Sequence, residues 1–171
     1  MSGVPGIIAS QPTGCNCTPA WLTGDRTGSI TVSMGGPNIS IWSGTASNAV
    51  DGSIVYDANG SWAWGLGVPT IGSSDYVRFD FGAPTLVTDA RANKLSPPAG
   101  QGTWQWQGSD DAVSWTDIGS PFSFSGASNP FTLNGLSGNE TGYRYYQMKG
   151  VSSTITSAEW LAEVEFKQCT C

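Results

Sequence analysis

Apolar and polar residues alternate in short runs along most of this chain: SITVSM (29–34), ISIW (39–42), YVRFDF (76–81), TWQWQ (103–107), FTL (131–133), YRYYQM (143–148) and AEVEF (162–166). Alternation of this kind marks a strand that buries one face. Between the runs stand GGPN (35–38), SPPAG (96–100) and LSGNE (136–140), where Pro and Gly stop a strand and reverse the chain. The pattern predicts an all-β domain, a sandwich or a barrel. Its sole helical expectation is a single turn near Ala46 to Asp51, and no internal repeat is visible.

Residues 1–20 break the pattern. They carry Gly, Pro, Ser and Thr with one short apolar pair, Ile7-Ile8, which is too little surface to fold alone. They are expected to form an extended N-terminal arm, docked on a neighbouring subunit of an oligomer or left as a disordered tail. Residues 21–171 then make one domain, which is what a chain of 171 residues accommodates.

Composition agrees with strands. Glycine is abundant at 23, tryptophan reaches 8 and charged residues are only 12%, too few for the polar faces of amphipathic helices. The net charge is −6 and the seven Lys and Arg are spread singly, so no basic stripe exists to displace counterions from a phosphate backbone. Nucleic acid is not an expected partner. No run approaches the ~20 apolar residues of a membrane span, so membrane insertion is not expected either.

The start, MSGVPGIIASQPTG, has neither a basic region nor a sustained apolar stretch, so it does not read as a secretory leader. A composition rich in Ser, Thr, Gly, Asn and Trp nevertheless suits an extracellular adhesion domain. A bacteriophage virion protein, made in the cytoplasm and released by lysis, reconciles the two. An excised piece of a secreted protein is the alternative.

The cysteines stand at the two ends, Cys15 and Cys17 near the start and Cys169 and Cys171 at the finish. Because the termini of a compact domain often lie close together, disulfides joining Cys15 or Cys17 to Cys169 or Cys171 are predicted, with the connectivity open. A four-cysteine zinc site is the rival, disfavoured because Cys-x-Cys is not the usual Cys-x-x-Cys spacing. Links between subunits are a third alternative.

No catalytic constellation stands out. The chain contains no His, which removes the commonest general base and the hydrolase triads. Asp110-Asp111 reads as a turn rather than as a glycoside-cleaving carboxylate pair.

Six motifs occur in a telling order: Asp51-Gly52, then Trp62 or Trp64, then Asp80-Phe81-Gly82, then Ser109-Asp110-Asp111 with Trp115, then Tyr143-Arg144-Tyr145, and finally Ala162-Glu163-Val164-Glu165-Phe166. Over about residues 40–168 this order resembles the discoidin family, which includes coagulation-factor type C domains and many carbohydrate-binding modules. Two departures are Ala112, where the family usually has Gly, and a long loop from Asp51 to Trp62. The resemblance implies a discoidin-like, galactose-binding-like jelly-roll β-sandwich and a binding module, not an enzyme.

It also implies a structural calcium ion beside the Asp-Gly loop. Such an ion takes about six to eight hard oxygen ligands. Asp51 and Glu163 match the two acidic positions, with Ala49, Asp57 and Ser61 as further donors. Alternation places Glu163 and Glu165 on one face with Leu161, opposite the core face of Ala162, Val164 and Phe166. Two neighbouring carboxylates on one side are costly unless a cation or solvent separates them. The alternative is that Asp51 only caps a turn and Glu163 is a solvated strand residue.

Trp104 and Trp106 share a strand face and are expected in the core, and Trp115 matches a core position of the family. Trp42, Tyr56, Trp62 and Trp64 fall in or beside the loops of the family's ligand-binding end, where one of Trp62 and Trp64 corresponds to the family's buried loop tryptophan. Tyr56 and Trp64 are expected to be exposed and to stack on a sugar ring, with Arg91 and Asn93 as hydrogen-bonding partners. The implied function is attachment to a host cell-surface glycan by a module displayed on a phage fibre, spike or decoration protein. A structural virion protein, assembled through its arm and binding no sugar, is the alternative.

Overall fold

The computed structural model describes residues 17–39, 41, 44–53, 64–65, 70–94, 102–123, 130–154 and 160–171. These form ten strands and one 3₁₀ helix: β1 (Ala20–Leu22), β2 (Thr31–Gly35), the 3₁₀ helix Ala46–Val50, β3 (Trp64–Gly65), β4 (Thr70–Ile71), β5 (Tyr76–Lys94), β6 (Thr103–Ser109), β7 (Thr116–Ser123), β8 (Phe131–Leu133), β9 (Tyr143–Thr154) and β10 (Trp160–Thr170). The single helical turn expected at Ala46 is this 3₁₀ helix. Among the described residues, Ile39 and Ile41, expected in a strand, belong to none.

β5 organises the sandwich because it belongs to both layers. Its first half, Tyr76–Asp80, pairs with β2 and β9; its second half, Thr85–Lys94, pairs with β10 and, through Ala90–Ala92, with β8. The strand turns between them at Gly82, whose φ is +74°, and at Pro84, which has no N–H to place in a ladder. Asp80 Oδ1 accepts the Gly82 N–H at 2.8 Å and holds the turn. One layer is therefore β2, the first half of β5, β9, β6 and β7; the other is β8, the second half of β5, β10 and β1.

The layers meet through aromatic rings. Phe79 and Trp106 of the first pack edge-on against Phe166 of the second at 4.9 and 6.3 Å, and Trp106 stacks on Phe122 of its own layer at 6.1 Å. Trp104 and Trp106 are fully buried, as the alternation predicts. On the opposite face of the same strands a polar ladder crosses four of them: Arg78 donates to Gln147 Oε1 at 3.1 Å, Gln147 to Gln107 Oε1 at 2.7 Å, and Gln107 to Asp117 Oδ1 at 2.7 Å.

Trp115 corrects its core assignment. It is half-buried on this outer face, with the Arg78 guanidinium 4.7 Å from its ring and 4.6 Å from that of Tyr76. The loop before it turns through Ala112 at φ +58° and lays the indole outside the sandwich. β7 was not predicted at all, since Gly119 and Pro121 interrupt it. Gly119 is required there: an added Cβ would lie 2.1 Å from the Gly135 carbonyl oxygen.

The sandwich also reaches further back than residue 21. Ala20 already pairs with Gln168, and Cys17 is bridged to Cys169 across 152 residues with a Cα separation of 6.2 Å. This pairing between the two ends is the predicted kind and removes the zinc alternative for these sulfurs. Cys171 is also disulfide-bonded; Cys15 lies outside the described residues.

Candidate functional site

Two loops and the start of β10 meet at one corner. The 3₁₀ helix runs into Asp51-Gly52, where Asp51 Oδ2 accepts from Asn48 Nδ2 at 2.7 Å and Oδ1 accepts the Ser53 N–H at 2.8 Å. Asp51 thus shapes its own turn. Gly52, at φ +79°, lies so close to the neighbouring loop that an added Cβ would stand 2.4 Å from the Gly24 carbonyl carbon. The Arg26 N–H donates to Val50 O at 2.8 Å and ties the two loops together.

The Arg26 side chain continues beneath this contact. Nη1 donates to Leu22 O at 2.5 Å, Nη2 donates to Val164 O at 3.2 Å, and Nη2 pairs with Glu163 Oε1. The other carboxylate oxygen of Glu163 accepts the Gly52 N–H at 3.0 Å. Arg26 and Glu163 are 5% and 1% exposed, so the pair is withdrawn from solvent. Burial holds the Arg26 guanidinium below the usual arginine value, and the carboxylates of Glu165, Asp25 and Asp51 oppose that shift.

The pairing of β10 with β5 sets Glu163 opposite Asn93 and Glu165 opposite Arg91. Arg91 Nε binds Glu165 Oε2 at 2.5 Å, and its guanidinium lies 4.4 Å from the ring of Trp21. Asn93 is buried. Arg91 and Asn93, expected to face a sugar, therefore belong to the same charged corner as Glu163 and Glu165. Of the expected metal donors, Asp51 and Glu163 are brought together around Gly52, with both carboxylates engaged by donors of the chain itself, and Ala49 is fully buried in the 3₁₀ helix.

Asp57, Ser61, Tyr56 and Trp62 lie outside the described residues, and Trp64 is described by its backbone, which pairs with Leu161 in β10. The segment bearing the loop aromatics thus leaves from Ser53 and returns at β3, both beside the start of β10. Sequence reasoning missed Arg26. It is a lone cation in a Gly- and Thr-rich stretch, and its only advance signal was the pair of adjacent carboxylates in β10 that called for a positive partner.

Asp110 and Asp111 are structural. Asp110 Oδ1 accepts the Arg144 N–H at 3.1 Å. Asp111 Oδ1 accepts the Val113 and Ser114 N–H groups at 2.8 and 2.7 Å, which hold its carboxyl down at about 2. Away from the charged corner, an open hollow of about 270 Å³ lies on the outer sheet face, lined by Gln105, Gln107, Asp117 and Lys149 together with Pro121 and Val151.

No protein-family model and no curated protein sequence matches the chain. Solved structures do match its fold. The family 32 carbohydrate-binding module of Clostridium perfringens NanJ, solved in complex with galactose, superposes with a TM-score of 0.58 at 11% identity, covering 84% of this chain and 97% of the module. The F5/8 type C domain of a Bacteroides fragilis protein gives 0.58 at 12% identity, over 88% and 97%. A fucolectin from striped bass (Morone saxatilis) serum gives 0.59 at 19% identity, over 84% of this chain and 48% of the lectin. The likeness is one of fold: the chain is a discoidin-like β-sandwich.

Proposed function

We propose that this discoidin-like sandwich is a non-catalytic carbohydrate-binding module that attaches to cell-surface glycans. The observation that supports it best is the shared fold with a module solved with galactose and with a serum lectin. This is an argument from fold. The chain's own residues add to it: Gly52 and Trp64, which flank residues 54–63, both lie beside the start of β10, and Tyr56 and Trp64 supply flat rings for the apolar face of a sugar.

Absence of catalysis is supported by the lack of His and by the use of Asp110 and Asp111 to build their loop. The disulfides suit a protein that works in an oxidising setting, on a virion surface or after secretion.

A glycan array probed with the disulfide-intact protein tests the reading. Binding to a defined set of glycans is expected, lost in Tyr56→Ala or Trp64→Ala and kept in Lys149→Ala, which alters the hollow on the outer sheet face. Uniform absence of binding by folded protein would overturn it.

A further inference from the structure

We propose that the Arg26 guanidinium is the resident cation of this sandwich, standing where the resemblance implies a calcium ion, so that the Asp-Gly loop is held without metal. Calcium at such a corner would need about six to eight oxygens, drawn from loop carbonyls and a distant acid. Among the described residues, Leu22 O, Val164 O and Glu163 Oε1 converge on Arg26, so that Glu163, one of the two acidic positions implied for calcium, already faces a cation. The remaining Glu163 oxygen takes the Gly52 N–H, and the Asp51 oxygens take Asn48 and Ser53.

A guanidinium suits this position. It is a permanent cation with donors in a planar fork: Nη1 and Nη2 donate to two carbonyls, Nη2 lies in ion-pair contact with Glu163, and Nε makes no hydrogen bond among the described residues. The two β10 carboxylates each have a cation of the chain, Arg26 at Glu163 and Arg91 at Glu165. The same residue closes the loops through its backbone, because Arg26 N–H binds Val50 O while Gly24 packs on Gly52. β1, the Arg26 loop, the Asp-Gly loop and β10 are thus fastened by one side chain and its own amide.

The test is thermal unfolding of the disulfide-intact full chain in EDTA, in calcium and in magnesium, and it reads stability rather than sugar binding. Wild-type Tm should be the same in all three. Arg26→Ala should lower Tm by roughly 6–20 °C, since it leaves the buried Glu163 carboxylate without its cation. Calcium should then recover part of that loss, in the variant alone, because the vacated oxygens are hard ligands. A saturable rise of wild-type Tm in calcium but not magnesium would overturn the proposal, as would an Arg26→Ala protein of wild-type Tm. A destabilised variant that recovers nothing in calcium would overturn the placement of Arg26 at an ion position. Should Arg26→Ala fail to fold, Arg26→Lys keeps the charge without the fork. It should fold with a lowered Tm, and calorimetric titration of the wild type with calcium should show no binding; binding heat would overturn the proposal.

Discussion

The hydroxyl of Tyr146 donates to the carbonyl of Thr85 at 2.7 Å, at the point where β5 passes from one layer of the sandwich to the other. The β5 ladder to β9 is interrupted between Asp80 and Thr85, so backbone pairing alone does not secure the crossing. The same hydroxyl accepts from the Val87 N–H and from Asn139 Nδ2, each at 3.3 Å. Tyr146→Phe should therefore cost about 1–3 kcal/mol, the usual consequence of leaving buried polar groups unpaired. Urea unfolding would measure it, and a loss below half of the lower figure would show that the crossing is held by other contacts.

Burial pushes the Tyr146 phenol up to about 12, while a tyrosine in the unfolded chain ionises near 10. The neutral form is favoured in the folded protein, so its contribution is complete below pH 10 and is lost as pH rises from about 10 to about 12. The full loss is worth roughly 3 kcal/mol. Stability measured across that window should fall more steeply in the wild type than in Tyr146→Phe, and parallel curves would contradict the assignment.

The elements most open to prediction were those whose side chains simply alternate. β2, β6, β8, β9 and β10 each overlap a predicted run, and Trp104 and Trp106 are buried where alternation puts them. What escaped was structure that depends on partners distant in sequence. Gly82-Ala83-Pro84 looks like the end of a strand, yet β5 continues to Lys94 because β10 and β8 offer it new ladders. β7 runs through Gly119 and Pro121, and its glycine answers to Gly135 rather than to any local pattern. At the charged corner the meeting of Asp51-Gly52 with Glu163 was readable from motif order. The cation that faces Glu163 was not, because no spacing rule links Arg26 to a residue 137 positions later.

Ala112 and Gly82 make a matched test of backbone strain. Ala112 sits at φ +58°, where a Cβ is disfavoured, and its loop is held by Ser109 and Asp111. Ala112→Gly should raise stability by about 0.5–1 kcal/mol, or roughly 1–4 °C in Tm. Gly82 at φ +74° has open space around an added Cβ, so Gly82→Ala isolates the backbone effect and should lower stability by about 1 kcal/mol. Shifts of the same sign in both variants would refute the strain argument.

β10 is fastened at both ends, by Arg26 at Glu163 and by the disulfide at Cys169. A bridge closing a loop of 152 residues restricts the unfolded chain by roughly 5 kcal/mol in the chain-entropy treatment. Because Cys171 is also bridged, the ends stay tied in Cys17→Ser, which should cost only a small part of this. Replacing all four cysteines with serine should lower Tm by roughly 10–20 °C, and peptide mapping without reductant should recover residues 17 and 169 in one linked fragment. Recovery of both as free thiols would sink the assignment. Six residues of strand span about 20 Å, so the two fastenings share no contacts and their losses should add to within about 0.5 kcal/mol when Arg26→Ala is combined with the serine replacements. A shortfall larger than that would mean that β10 detaches as one unit once either end is freed, and the strand would then be a cooperative latch rather than two independent attachments.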